Sequence, residues 1–228
     1  DSRISQIRLR SELDRTLRSI LKKFPGIQEV ILCSVVPKVL DTVERFIVQR
    51  LKIKPAVVGR DLKVPLKNNY YNPKQVGQDR LVCSFAAKCL YGQPAIIVDF
   101  GTAITFDLIS KQGDYEGGII VPGIRLSVES LHKKTALLPN IRSIEGPRAL
   151  IGKNTKESIL SGIFFGYGAM CCGLIDNISK HINGKPKVIV TGGHTHLMKK
   201  FISTKISIID RNLVFKGMEL LSRHSQQR

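Results

Sequence analysis

The sequence predicts an α/β fold, and three patterns carry that expectation. Short apolar runs that read as strands alternate with segments whose apolar residues recur every three or four positions. Two of the runs, residues 95–100 and 104–109, are separated by a glycine turn and read as a hairpin. A third, Lys187-Val-Ile-Val-Thr191, ends in Gly192-Gly193, the punctuation expected where a buried strand gives way to a loop.

Each element follows in order. Leu13, Leu17, Ile20 and Leu21 recur at helical spacing, so residues 11–24 are expected as an amphipathic helix. Residues 27–36 form an apolar run that ends at Pro37, which suggests a buried strand followed by a helix through Val39, Leu40, Val43, Phe46 and Ile47. Val57-Val58 reads as another short strand. The polar run Asn68-Asn69-Tyr70-Tyr71-Asn72-Pro73 is turn-forming and leads into Val76-Gly77-Gln78-Asp79-Arg80 and a helix to about Leu90. After Gly92-Gln93-Pro94 the hairpin begins, which places a domain boundary there: an N-terminal domain over residues 1–93 and a C-terminal domain over 94–228. Gly117-Gly118 and Pro122-Gly123 read as glycine turns. A helix over 124–133, a proline-bearing loop and a long glycine-studded helix from about Thr155 follow. His194 and His196 alternate as strand or loop residues do, with no acidic companion to suggest zinc.

Composition narrows the classes. The chain has 228 residues, 43% hydrophobic and 24% charged, an ordinary globular balance that excludes collagen, coiled coil and wholesale disorder. The formal charge of +18 points toward anionic partners. It is diffuse, with no basic run longer than pairs such as Lys22-Lys23 and Lys199-Lys200. With 6% aromatic residues and no Trp there is little to stack on bases, so nucleic acid is not the expected partner. Five cysteines without a Cys-x-x-Cys pair suit free thiols in a reducing cytoplasm, and the N-terminus has no secretory pattern. Residues 159–175 carry no charge, but the run is shorter than the ~20 residues that span a bilayer. With four glycines it reads as a buried helix and not as a membrane anchor.

Two constellations could carry chemistry. Asp99-Phe100-Gly101-Thr102 puts a carboxylate at the end of a buried strand, then a glycine and a hydroxyl in the turn. Those groups suit a cation and a phosphate, although an ordinary hairpin with a capping Asp has the same letters. Asn72-Pro73-x-x-Val76-Gly77-Gln78-Asp79-Arg80 sets an acid and a guanidinium at a helix start, fit for a proton and a carboxylate, or for no more than a cap and a surface Arg.

In this order the motifs resemble the type III pantothenate kinases of the sugar-kinase, heat-shock-protein and actin superfamily. The resemblance rests on Cys33-Ser-Val-Val-Pro37, Tyr70 through Leu81, Asp99 through Asp107, Gly117 through Pro139, Gly152 through Gly166 and Thr191-Gly192-Gly193. It implies two ribonuclease-H-like domains and ATP-dependent phosphorylation of pantothenate, the first step toward coenzyme A, by a cytoplasmic homodimer using Mg2+ and a monovalent cation, K+ or NH4+. Residue by residue, it implies Asp79 as general base, and Gly77, Gln78 and Arg80 in the pantothenate loop with Tyr70. It further implies Asp99 as the cation ligand, Gly101 and Thr102 against the ATP phosphates, and Thr155 reaching pantothenate from the other subunit. Gly192 and Gly193 would lie near adenine.

One feature departs from the family. Its first strand and Asp-x-Gly-Asn-Thr phosphate turn have no counterpart in residues 1–30, so the N-terminal domain is expected to lack its first strands. The expectation is a chain cut from a longer protein. The alternative is a natural homologue, non-catalytic, acting as an accessory or regulatory protein.

Overall fold

The computed structural model describes residues 6–226. In order these form α1 (Gln6–Lys23), β1 (Ile31–Leu32), α2 (Pro37–Leu51), β2 (Ala56–Val57), α3 (Gln78–Tyr91), β3 (Ala95–Phe100), β4 (Ala103–Ile109) and β5 (Tyr115–Pro122). Then follow α4 (Ile124–Lys134), α5 (Thr155–His181), β6 (Lys187–Thr191), α6 (Thr195–Met198), β7 (Ile208–Ile209) and α7 (Leu213–Gln226). The fold is α/β. Two compact units divide it: Asp1–Pro65 with Lys74–Val82 and Val214–Arg228, and Leu66–Pro73 with Cys83–Leu213. The expected single boundary at residues 93/94 falls inside the second unit, because a chain that leaves and returns cannot be divided by one cut.

In the first unit, Leu17 of α1 and Phe46 and Ile47 of α2 are buried together, with Leu13, Leu21, Val43 and Leu51 packed around them. This is the apolar face that the helical spacing foretells, starting five residues earlier than expected. Pro37 opens α2, where its fixed φ suits the first turn and its missing N–H costs nothing. Lys52 closes it in the left-handed region, donating its N–H to the Val48 carbonyl. β1 and β2 pair in parallel, Ile31 opposite Ala56. α7, not anticipated from the sequence, is tied in when Ser222 Oγ donates to the Glu29 carboxylate at 2.6 Å.

The second unit holds a five-stranded sheet in the order β5-β4-β3-β6-β7. β3, β4 and β5 run antiparallel in succession, and β6 and β7 lie parallel to β3. Ile96, Val98 and Phe100 of β3, Ile104 and Phe106 of β4, and Val188 and Val190 of β6 form one face, packed against Ile124 and Val128 of α4 and Leu160, Ile163, Phe164 and Ile175 of α5. By the strand period of two, Ile97, Asp99, Thr105, Asp107 and Thr191 belong to the opposite face. α5 is long and apolar enough to cross a membrane by length and composition alone, yet it supplies much of this core. Its Gly168 lets the 199–201 turn pass, since an added Cβ would lie 2.8 Å from Phe201 Cβ.

Two local expectations change. Gly117 and Gly118 are not a turn: they lie within β5, opposite Leu108 and Asp107. Gly117 is needed there because its φ is +112 and an added Cβ would sit 3.2 Å from the Tyr70 ring. His194 and His196 are not strand or loop residues in alternation, since His194 caps α6 and His196 lies inside it.

Phe164 is fully buried and Phe165 is 36% exposed. Phe164→Ala should therefore cost about 3–5 kcal/mol of unfolding free energy, and Phe165→Ala about 1 kcal/mol or less. Urea denaturation compares them, and equal losses would contradict the core assignment.

Candidate active site

In the first unit the 77–80 segment forms a tight local structure. Val76 is buried, which fixes the entry into α3. The Asp79 carboxylate folds back beside Gly77, where an added Cβ would stand 2.5 Å from Asp79 Oδ1 and 3.3 Å from Val35 Cγ1. Any side chain at position 77 would thus collide with the carboxylate. Asp79 Oδ1 also accepts the Arg80 backbone N–H at 2.8 Å. Gln78 lies across Gly59, whose φ of +87 and absent side chain leave room for it: an added Cβ would be 2.6 Å from Gln78 Cδ. Asp79 and Arg80 are half-buried, and Arg80 Nη2 is fully shielded from solvent. Cys33 lies close enough to feel Asp79. Burial first, and the Asp79 charge second, push its thiol up to about 11. A proton acceptor and a guanidinium at a helix start suit an anionic molecule that bears a hydroxyl.

In the second unit the parallel pairing of β3 and β6 brings Asp99 beside Thr191 on one side, and the hairpin brings Thr105 beside it on the other. Gly192, at φ +95, passes directly under the Asp99 carboxylate: an added Cβ would lie 2.3 Å from Asp99 Oδ1 and 2.6 Å from the Phe100 nitrogen. The His194 N–H donates to the Phe100 carbonyl at 3.0 Å, which fixes the Gly192-Gly193 loop against the end of β3. Ligands bind in α/β sheets outside such carboxyl-terminal strand ends.

Gly101 and Thr102 turn the hairpin. The Gly101 N–H is taken by the Ala103 carbonyl at 3.0 Å, so Gly101 offers close backbone approach and not a donor. Thr102 is exposed, and its carbonyl accepts the Gly123 N–H at 3.0 Å. Gly123 tolerates no side chain, since a Cβ would come within 2.2 Å of that carbonyl oxygen.

Tyr70 and Thr155 belong to the second unit but not to this cluster. The Tyr70 ring packs against Gly117 and lies 6.4 Å, centroid to centroid, from Tyr115. Thr155 is exposed at the first position of α5, after an Asn154 cap whose Oδ1 accepts the Glu157 N–H at 2.9 Å. A cavity of about 680 Å³ beside β5 and the end of α5 is bordered by Phe106, Gly117 and Gly118 of the quoted motifs, but by none of the residues to which the resemblance gives a site role. The motifs read from the sequence include Thr105, Asp107 and Thr191 but give them no role, and Tyr115 lies outside them. Strand register was the signal that could have found them, because it puts all but Tyr115 on the Asp99 face by alternation alone. Among the described residues no cluster of three or more His, Cys, Asp or Glu could hold a metal ion.

Solved structures share the architecture. One described as a Baf family transcriptional activator from Campylobacter jejuni superposes with a TM-score of 0.56 at 21% identity, covering 93% of this chain and 89% of that one. The ethanolamine utilization protein EutJ from Carboxydothermus hydrogenoformans gives a TM-score of 0.52 at 14% identity, over 95% and 75%. These likenesses show the fold alone. The sequence is more specific. The type III pantothenate kinase family model matches residues 2–177. The type III pantothenate kinase of Persephonella marina is 41% identical over 234 residues, 97% of this chain and 91% of the relative. That of Halalkalibacterium halodurans is 38% identical over 224 residues, 95% and 86%. The chain belongs to the type III pantothenate kinase family.

Because the Asp79 charge helps hold Cys33 in its neutral thiol form, Asp79→Asn should lower the Cys33 pKa and speed its alkylation at pH 8–9, where little thiolate exists otherwise. Site-resolved mass spectrometry after iodoacetamide treatment reads the rate. An unchanged rate at Cys33 would separate the two residues.

Proposed function

We propose that this chain transfers the γ-phosphoryl group of ATP to the primary hydroxyl of pantothenate, forming 4'-phosphopantothenate and ADP, the first step toward coenzyme A. The observation that carries this reading is the family match over residues 2–177, a span that includes Tyr70, Asp79, Asp99 and Thr155. In the reaction Asp79 takes the proton of the pantothenate hydroxyl as that oxygen forms its bond to the γ-phosphorus. The bond from that phosphorus to the bridging oxygen breaks, its electron pair leaving with ADP, and Asp79 then returns the proton to solvent. Gly77 supports the role, because the absent side chain is what leaves the Asp79 carboxylate in place. Arg80 binds the pantothenate carboxylate through its guanidinium fork, with Gln78 completing the loop. Tyr70 contacts the same substrate.

Thr102 holds the ATP phosphates, with Gly101 allowing their close approach, and Gly192-Gly193 lie toward adenine. Asp99 holds K+ or NH4+. One carboxylate against the Gly192 backbone suits a monovalent ion better than the demanding octahedral shell of Mg2+, which arrives with the nucleotide. Such cations offset the charge that develops on the phosphoryl oxygens. The sheet order of the second unit, three antiparallel strands followed by two parallel, supports a ribonuclease-H-like domain in a two-domain protein of the superfamily.

The reading includes a cytoplasmic homodimer. Its support is the outward side of α5 and the preceding loop, where Leu137, Leu150, Ile151 and Phe165 are exposed and an added Cβ at Gly162, Gly166 or Gly173 would meet nothing. Thr155 begins this same helix, so it would reach pantothenate in the partner's site.

Asp79→Asn should reduce turnover by roughly 10²–10⁴-fold while pantothenate still binds. Arg80→Ala should instead weaken pantothenate binding by about tenfold or more. ADP release and calorimetric titration separate the two, and normal turnover in Asp79→Asn would remove Asp79 as the base.

A further inference from the structure

We propose that Asp107 is a positioning residue for the acceptor substrate, acting through Tyr115 on Tyr70. The inference rests on the reading of Tyr70 as a pantothenate contact. Asp107, on β4, is 1% exposed, and a carboxylate buried to that degree must be held by hydrogen bonds. Tyr115 Oη donates to its Oδ1 at 2.7 Å, and Thr105 Oγ1 donates to its Oδ2 at 3.2 Å. Gly118 stands opposite Asp107 on β5 and brings no competing side chain.

Tyr115 is fully buried and grips the Tyr70 segment by its backbone as well as by its ring. Its N–H donates to the Lys67 carbonyl at 2.8 Å, and its carbonyl accepts the Asn69 N–H at 2.9 Å. The next residue is Tyr70, whose own N–H is held by Asn68 Oδ1 at 3.0 Å. Its ring packs on the bare backbone of Gly117, 6.4 Å from the Tyr115 ring centroid to centroid. A tilt of Tyr115 therefore moves both the backbone that carries Tyr70 and the surface its ring rests on. The Asp107 hydrogen bond is what fixes that tilt. The second arm of Asp107 ends on Thr105, which is paired with Asp99 across the hairpin. One buried carboxylate thus sets the substrate tyrosine and braces the strand position beside the cation ligand.

Two measurements test this. In steady-state kinetics, Tyr115→Phe should raise the KM for pantothenate about fivefold, the worth of one lost hydrogen bond, with kcat and the KM for ATP little changed. In a Tyr70→Ala background, the same substitution should add nothing. An additive loss, or an unchanged KM in the single variant, would overturn the proposal. The second measurement needs no turnover. With 3-fluorotyrosine at the five tyrosines, the 19F resonance that disappears in Tyr70→Phe should be narrow in the parent protein and broadened or split in Tyr115→Phe and Asp107→Asn. Thr105→Ser, which keeps the hydroxyl, should leave it narrow. An unaltered Tyr70 line would overturn the proposal whether or not pantothenate is the substrate, whereas a parent protein silent toward pantothenate would sink the functional reading alone.

Discussion

The parallel pairing of β3 with β6 is the constraint on which the second unit and its chemistry depend. It ends both strands at the same level, so that the carboxylate of Asp99 comes to rest on the backbone of Gly192 with no space for a Cβ between them. A carboxylate placed this way owes its position to main-chain register. The same register aligns Val98 with Val190 and buries both in the core under α5, so the packing that stabilises the sheet also holds the site. Gly123 extends the logic to the other side of the hairpin, where its missing side chain lets β5 turn into α4 against the Thr102 carbonyl.

Much of this was legible in the sequence because it is local. Pro37 marks the start of α2, the hairpin announces itself by two apolar runs around Gly101, and the glycine-studded run after Thr155 is α5. Residues 77–80 and 99–102 stand out in the sequence for the same reason, each segment being one turn long. What escaped is non-local. Gly117-Gly118 resembles a turn until Tyr70, far away in sequence, supplies the reason for a glycine within a strand. The partition of the chain depends on α7 returning to the first unit, where Ser222 meets Glu29, a contact that no window of sequence contains. Asp107 looked like the end of a motif. Only the register and Tyr115 make it the centre of a buried network.

Charge also falls into place once the chemistry is considered. A formal +18 spread without long runs is a poor signature of a nucleic-acid groove, but it favours approach by two anions, a nucleotide and a carboxylate-bearing acceptor. Of the acidic residues singled out, Asp79 accepts a backbone N–H and Asp107 accepts from two hydroxyls. Two of them lie against an adjacent glycine, Gly77 beside Asp79 and Gly192 beneath Asp99, while Asp107 is held by Tyr115 and Thr105. The recurring device is a carboxylate placed where a neighbour's side chain has been left out.

The most direct measurement is ADP release from ATP with pantothenate as acceptor, at fixed Mg2+ and with K+ titrated from zero, on the parent protein and on Asp99→Asn. Turnover by the parent that requires pantothenate and saturates with K+, together with loss of the K+ response in Asp99→Asn, is the predicted result. Pantothenate-independent ATP hydrolysis, or turnover equally responsive to K+ in both proteins, would contradict the assignment of Asp99 and with it the phosphoryl-transfer site.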